Sequence, residues 1–196
     1  MNASELRSRL LRTRDEIIEN NPDAIRPIIE QLGIKPDNIV LDAATGTGQL
    51  LPYIIREISG SGWVDAYDSS CGLLEQTAAA HASSGKARFI LGDVEHDAIF
   101  GAYDAVVIFC MLPTFDDPVS TVKHLYDDHL MPGGHLVIGF PCSKEVINSL
   151  HDDVGEKRHA RYLDSAEELS SRLSEAGLNV AYTRDDDSAY IITLRK

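Results

Sequence analysis

The feature that most constrains the fold is a repeated alternation of short apolar strands with amphipathic helices. From Asn38 onward, apolar runs alternate five times with segments whose apolar residues recur at helical spacing. The run 103–112 is almost continuously apolar, which is typical of a parallel strand covered on both faces. From Asn179 the pattern predicts two strands joined by an acidic turn. We therefore expect an α/β fold, a doubly wound, mostly parallel seven-stranded sheet with helices on both faces and a C-terminal antiparallel hairpin.

Two helices are predicted ahead of this alternation, and Gly33 ends the second of them. We expect residues 1–33 to form a lid or an acceptor cover, and residues 34–196 to form the ligand-binding part of a single domain. The apolar face of the first helix, which includes Leu10 and Ile17, needs cover. A dimer contact and packing over the ligand site explain that face equally well, so both a monomer and a homodimer are compatible with the sequence.

The charge balance argues against a nucleic-acid partner. The 196 residues contain 31 acidic and 18 basic side chains, a formal net charge of -13, which repels a phosphate backbone. No apolar run reaches the length of a transmembrane helix, and the charged N-terminus does not resemble a signal peptide. The three cysteines lack metal-ligand spacing. We expect a cytoplasmic protein with free thiols, no membrane partner and no metal.

Three consecutive strands are followed by an acid at or just beyond their ends: Asp42, Asp68 and Asp93. Because parallel strands present their carboxyl ends to one crevice, these carboxylates are expected to lie close together. A crevice that binds pyrophosphate would be weakened by three negative charges. A cationic nucleoside with ribose hydroxyls and an adenine amine suits them better, and S-adenosylmethionine is such a ligand. Gly46 and Gly48 allow the loop backbone to approach it closely.

The dinucleotide alternative fails at one position. The phosphate fingerprint requires a third glycine three residues after the second, and this chain has Leu51 there. An acid about 20 residues beyond the loop would contact the ribose of either ligand, so Asp68 alone does not discriminate between them.

Five segments, in order and at matching spacing from about Ile34 onward, resemble the motifs of the class I S-adenosylmethionine-dependent methyltransferases. They are VLDAATGTG, VDAYDSSCGLLEQTAAA, FILGDVEH, YDAVVIFCMLPTFDD and HLMPGGHLVIGF. The resemblance implies a Rossmann-like fold, S-adenosylmethionine as cofactor and S-adenosylhomocysteine as product. Ala44 and Thr45 stand where many members have a Gly or Cys pair. In having small residues at this place, the chain resembles members of the quinone-biosynthesis-like, small-molecule branch.

The resemblance also implies roles for individual positions. Four residues are expected to cradle the methionine portion: Asp42, Ala44, Gly46 and Gly48. Asp68 is expected to bind the ribose hydroxyls, with Ser69 beside it. Two residues are expected to face the adenine: Asp93 and Val94. Two are expected to close the crevice from the fourth strand: Phe109 and Cys110.

The acceptor is less constrained by the sequence, because a methyl transfer needs a base only when the acceptor must lose a proton. Asn148 and His151 are one helical turn apart, and His151 is the candidate base or acceptor contact. Asp116 and Asp117 are expected to start a helix rather than bind a metal. The expected function is methyl transfer to a small molecule by in-line displacement. A non-catalytic S-adenosylmethionine-binding scaffold and a protein methyltransferase are the alternatives.

Overall fold

The structure, a computed structural model, describes residues 3–152 and 162–196 and contains the strand and helix alternation predicted above. Its seven strands are β1 Ile39–Ala43, β2 Trp63–Asp68, β3 Ala87–Leu91, β4 Tyr103–Phe109, β5 Leu130–Phe140, β6 Val180–Asp186 and β7 Ala189–Arg195. The helices are α1 Ala3–Asn20, α2 Arg26–Leu32, α3 Leu51–Glu57, α4 Cys71–His81, α5 Pro118–His124, α6 Lys144–Asp152 and α7 Ala166–Glu175. None of the helices in these described residues is long and apolar enough to cross a membrane.

The strands form one sheet in the order β3-β2-β1-β4-β5-β7-β6. The first five strands pair in parallel, and β7 pairs antiparallel with both β5 and β6. The mostly parallel seven-stranded sheet and its C-terminal hairpin are therefore confirmed. The chain runs outward from β1 through β2 to β3 and then crosses back to β4, on the other side of β1. The boundary between β1 and β4 is therefore the switch point of the sheet, where such sheets bind ligands.

Local sequence signals determine where several helices begin and end. Ser70 caps α4 by accepting a hydrogen bond from the Leu73 N–H. Ser165 and Glu168 form a reciprocal capping box at the start of α7. Gly33 ends α2 in the left-handed conformation, as predicted. Apolar side chains on both faces of β4 are fully buried, which fits its position at the centre of the sheet.

The sequence predicts a helix from about Pro118 to Leu130, stopped by Pro132 and its glycines, and a fifth strand that begins at Gly134. The α-helix ends at His124 and continues as one π turn over Leu125–His129, so the end of the helix is confirmed to within one residue. The predicted start of the strand is wrong. Residues 130–134 then belong to β5, because Leu130 pairs with Tyr103 and the register shifts before His135 pairs with Ala105. A bulge therefore accommodates the proline and glycines at the start of the strand.

Candidate functional site

A cavity of about 490 Å³ lies at the carboxyl ends of β1, β2 and β3. Its volume falls in the range of about 300–1,000 Å³ that is usual for small-molecule sites. Four of the residues predicted to bind the cofactor line it: Ala44, Ser69, Asp93 and Val94. The remaining lining comes mainly from α1 and from the loop after β4. The cavity thus joins the switch point of the sheet to the N-terminal helix.

The loop after β1 is built from left-handed backbone. Ala44, Gly46 and Gly48 have φ angles of 64°, 61° and 75°. A Cβ on Gly48 would lie 2.5 Å from the Thr77 methyl group, so the glycine permits this close approach of loop and α4. The Thr77 hydroxyl donates to the Gly46 carbonyl at 2.7 Å, which fixes the loop against the helix. Ala44 adopts the same region without being glycine, and strain of this kind is concentrated at ligand sites.

Asp68, the last residue of β2, is a buried carboxylate with several donors. Its Oδ2 accepts the Gly46 N–H at 2.8 Å, and its Oδ1 accepts the Ser70 N–H at 2.8 Å. The Arg7 guanidinium, from α1, makes an ion pair with both oxygens. The same guanidinium donates to the Ser69 hydroxyl at 2.9 Å. The two residues predicted to bind ribose are therefore adjacent, and both contact α1.

Asp42 lies beneath the glycine loop, 1% exposed, rather than on the cavity wall. The Thr45 hydroxyl donates to its Oδ2 at 2.6 Å. Burial raises the pKa of Asp42 to about 6, against the lowering effects of the Thr45 hydrogen bond and the nearby Arg14 charge. A carboxylate with this pKa is poised to change charge with ligand binding, which is typical of functional sites.

The loop after β3 supplies the far wall of the cavity. Val94 is buried, whereas the Asp93 carboxylate is partly exposed and accepts the Glu95 N–H at 2.9 Å. The Glu95 carboxylate accepts hydrogen bonds from Asp116 N–H at 3.1 Å and from the Thr121 hydroxyl at 3.0 Å. Glu95 therefore connects the loop after β3, on one wall of the cavity, to the loop after β4, on the other.

Ligand atoms of Asp93, Glu95 and His96 lie within 4.8 Å of one another, a spacing that a metal ion could bridge. Hydrogen bonds within the loops account for this proximity. Asp93 Oδ2 lies 3.1 Å from His96 Nδ1, and this hydrogen bond raises the His96 pKa. Glu95 is engaged with the loop after β4, as described above. Exposed acidic groups adopt such spacing without an ion, and we assign no metal to them.

Phe109 ends the central strand β4, Cys110 follows it, and both are buried. Cys110 has a φ of 60°, so the chain turns sharply there. Burial raises the pKa of the Cys110 thiol well above its usual range. The thiol is therefore neutral and unreactive, and it can contribute packing but not nucleophilic chemistry.

Helix α1 lies across the glycine loop, through side chains that the sequence did not single out. Arg7, Leu11 and Arg14 share one helix face. Leu11 packs over Gly46, since a Cβ there would lie 2.7 Å from its Cδ2. Arg14 is 2% exposed, donates to the Thr47 hydroxyl and stacks 5.7 Å from the centre of the Phe109 ring. The residues 7, 9, 12 and 14 are all arginines, so their identity alone could not single out the buried ones.

The predicted acceptor residues have different surroundings. The Asn148 side chain holds the Leu163 backbone, with its Oδ1 accepting at 2.7 Å and its Nδ2 donating at 3.0 Å. Asn148 thus has a structural role. His151 falls in the last turn of α6, and its side chain lies outside the described part of the chain. Asp117 is the N-cap of α5, as expected for an acid at that place.

Comparison with known proteins gives a family match. The family described as methyltransferase domain matches residues 17–183, which is most of the chain. No curated protein matches the sequence.

Solved structures share the fold. An S-adenosylmethionine-dependent methyltransferase from Aquifex aeolicus has a TM-score of 0.69 at 17% identity, covering 92% of this chain and 97% of its own. The complex between the Haloferax volcanii Trm112 methyltransferase activator and a candidate methyltransferase gives 0.76 at 16% identity, with coverages of 97% and 96%. The plantazolicin methyltransferase bound to S-adenosylhomocysteine gives 0.67 at 15% identity, with coverages of 93% and 88%. At these identities the likeness concerns the fold alone.

Proposed function

The chain belongs to the methyltransferase domain family, as a class I S-adenosylmethionine-dependent methyltransferase, and we propose that it methylates a small-molecule acceptor. The observation that carries the cofactor site is the buried Asp68 carboxylate, which lies between the glycine loop and the cavity. A fully buried acid at a strand end is costly unless it binds something. Its oxygens accept two backbone N–H groups, which hold it in place for a ligand with hydroxyl donors.

Bound S-adenosylmethionine supplies an electrophilic methyl group on a sulfonium that leaves readily. We propose that Asp68 and Ser69 hold its ribose. Asp93 and Val94 are proposed to hold its adenine, since Val94 offers a buried apolar surface beside a partly exposed carboxylate. An acid accepts from the exocyclic amine, and the apolar side chain contacts the ring face.

The methionine portion is assigned to the glycine loop: Asp42, Ala44, Gly46 and Gly48. The left-handed backbone of the last three turns the loop sharply, and the two glycines carry no Cβ that could hinder its approach to a ligand. Ionised Asp42 would offset the positive charge of the ligand. Phe109 and Cys110 are proposed to form the wall from β4, because both are buried and lie at the switch point.

The remaining work of the protein is alignment of donor and acceptor, which can lower a barrier by several kcal/mol without any acid or base. Where the acceptor must lose a proton, we propose His151 as the base, because its pKa is ordinarily near neutrality. A His151→Gln variant would then lose turnover while keeping its affinity for S-adenosylhomocysteine. An acceptor that is already nucleophilic would make the same variant fully active.

A second cavity supports a small acceptor. It has a volume of about 690 Å³ and lies between α1, the end of β5 and the β6–β7 turn. Cys142 and Ile17 line it. Helix α1 contributes to the walls of this cavity and of the proposed cofactor cavity. Residues 1–33 are proposed to cover this acceptor site.

The finer family placement is also a proposal. The quinone-biosynthesis-like branch is supported by the small pair Ala44 and Thr45 in the loop. A cytoplasmic monomer or homodimer, without nucleic-acid or membrane partners, is supported by the net charge of -13 and the three free cysteines among the described residues.

The test of the cofactor site is calorimetric titration with S-adenosylmethionine, S-adenosylhomocysteine and NADH. The first two ligands should bind and NADH should not. Asp68→Asn should weaken S-adenosylhomocysteine binding by roughly tenfold or more, because charge-assisted hydrogen bonds contribute about 1.5–3 kcal/mol each. Glu175→Gln, an exposed acid at the end of α7, should bind as the wild type does. Binding of NADH, or the absence of binding by both S-adenosylmethionine and S-adenosylhomocysteine, would contradict the assignment.

The acceptor class needs a separate assay. Formation of S-adenosylhomocysteine from S-adenosylmethionine is measured with panels of small phenols, amines, carboxylic acids and quinols, and with protein extracts. Turnover with a small molecule supports the proposal. Turnover with protein alone would favour a protein methyltransferase, and binding without turnover in every panel would favour a scaffold.

A further inference from the structure

The carboxylate of Asp68 has no acceptor capacity left in this structure. An ionised carboxylate offers about four lone-pair sites. Gly46 N–H and Ser70 N–H each occupy one, and the Arg7 guanidinium contacts both oxygens. A ribose needs two acceptor sites for its hydroxyls. Because the two backbone donors belong to the loop and to the start of α4, Arg7 is the partner that a ribose can replace.

Arg7 also contacts the second residue proposed for the ribose. Its Nη1 donates to the Ser69 hydroxyl at 2.9 Å. The guanidinium thus occupies acceptor atoms of both residues that are proposed to bind the ribose. Its fit is imperfect, however, because the buried Nε has no hydrogen-bond partner within the described residues. A buried donor without a partner carries a free-energy cost, which favours replacement of Arg7 by a ligand.

We propose that Arg7 is an intramolecular competitor for the cofactor, so that S-adenosylmethionine enters only when the start of α1 releases Asp68. This inference rests on the proposed cofactor site and adds a residue that determines its affinity. It differs from a plain lid, because the contact is made with the atoms that the ribose needs. Arg7 and the ribose therefore bind Asp68 in mutually exclusive states.

The next two turns of α1 also cover parts of the proposed cofactor site. Leu11, one turn after Arg7, lies over Gly46, where the methionine portion is assigned. Arg14, two turns after Arg7, contacts Thr47 and Phe109 at the end of the crevice. Release of Arg7 alone frees the ribose site, whereas entry of the methionine portion also requires Leu11 to move. Displacement of the first turns of α1 is thus coupled to cofactor binding.

The expected size of the effect follows from population arithmetic. The apparent affinity is the intrinsic affinity multiplied by the fraction of molecules with Asp68 free. If α1 is closed about ten times as often as it is open, removal of Arg7 tightens binding about tenfold. A residue that assisted the bound state would have the opposite effect.

The first experiment is calorimetric titration of S-adenosylhomocysteine into wild type, Arg7→Ala and Arg7→Gln. Arg12→Ala is the matched control, since Arg12 is an exposed arginine on the same helix. We expect about tenfold tighter binding for both Arg7 variants and no change for the control. Equal or weaker binding by folded Arg7 variants, with wild-type binding intact, overturns the competitor alone. Failure of every protein to bind overturns the proposed cofactor site as well.

A second experiment needs no substitution, so it remains decisive if an Arg7 variant fails to fold. Amide hydrogen exchange of the wild type is measured with and without S-adenosylhomocysteine. We expect faster exchange across residues 5–11 when the ligand is bound, together with slower exchange in the glycine loop 44–48. Slower or unchanged exchange across residues 5–11, with the loop protected, overturns the proposal. The ligand 5′-methylthioadenosine, which keeps the ribose but lacks the amino-acid part, is expected to act in the same direction.

Discussion

The raised pKa of Asp42 predicts a pH-dependent effect of Asp42→Asn on stability. In the folded protein burial raises the pKa to about 6, whereas the ordinary value is 3.8. Below about pH 3 the carboxyl is protonated in both the folded and the unfolded state, so it contributes no pH dependence. As the pH rises towards 6, only the unfolded state ionises freely, and the folded protein loses stability. Above pH 6 the full penalty is present.

The magnitude follows from the shift. One pKa unit corresponds to about 1.36 kcal/mol. A pKa of about 6 instead of 3.8 therefore lowers the unfolding free energy by about 3 kcal/mol. The asparagine variant cannot ionise and avoids this penalty. Its unfolding free energy, relative to wild type, should therefore rise by about 3 kcal/mol between about pH 3 and pH 7. Any steric or hydrogen-bonding cost of the amide beside Thr45 is the same at each pH and cancels from this change.

The assay is urea unfolding of wild type and variant at four or five pH values across this window. Asp187→Asn, in the exposed β6–β7 turn, should show a difference from wild type that does not vary with pH. A constant difference for Asp42→Asn as well would refute the reasoning, because it would mean that the buried carboxylate ionises at its ordinary pKa. A confirmed change would mean that the chain retains an acid at a cost in stability, which is typical of a ligand site.

Two further substitutions test how the site is supported. Gly48→Ala should lower the unfolding free energy by about 1–3 kcal/mol, since φ is 75° and the new Cβ would lie 2.5 Å from a buried threonine methyl group. Gly72→Ala in α4 is the control, because its new Cβ would meet open space, and it should raise the unfolding free energy by up to about 1 kcal/mol. Equal unfolding free energies for the two variants would contradict the proposed strain at Gly48. Asn148→Ala should cost about 1–3 kcal/mol by breaking both bonds to Leu163, with Ser149→Ala nearly neutral in the same urea unfolding.

Glu95 connects the two loops that form the cavity walls, and so links the proposed ligand site to the half of the sheet that begins with β4. The Glu95 carboxylate accepts hydrogen bonds from Asp116, at the end of the loop after β4, and from Thr121, in the first turn of α5. Asp93, two residues earlier, is the proposed adenine contact. Because Glu95 connects the two loops directly, ordering of the adenine site is expected to order the loop after β4 as well.

The periodicity of the sequence determined the sheet and most helix ends. Strand runs such as β4 are apolar throughout because both faces are covered, and this requirement is visible without coordinates. Caps such as Ser70 and Ser165 act within four residues, so local sequence contains the whole signal. The start of β5 at Leu130 could not be predicted, because the pairing of Leu130 with Tyr103 decides it, and those two residues are distant in sequence.

The candidate site likewise combines features that the sequence predicts with features that only packing decides. Acids at or beyond strand ends and glycines in the loop follow from topology, which places Asp42, Asp68 and Asp93 near one edge of the sheet. Which carboxylate is buried, and which cation meets it, depends on how α1 packs against that edge. Nothing in the spacing of its four arginines distinguishes Arg7 from its neighbours. Only tertiary packing, through the desolvation it imposes on Asp42 and the ion pair it gives Asp68, determines the charge and accessibility of the site.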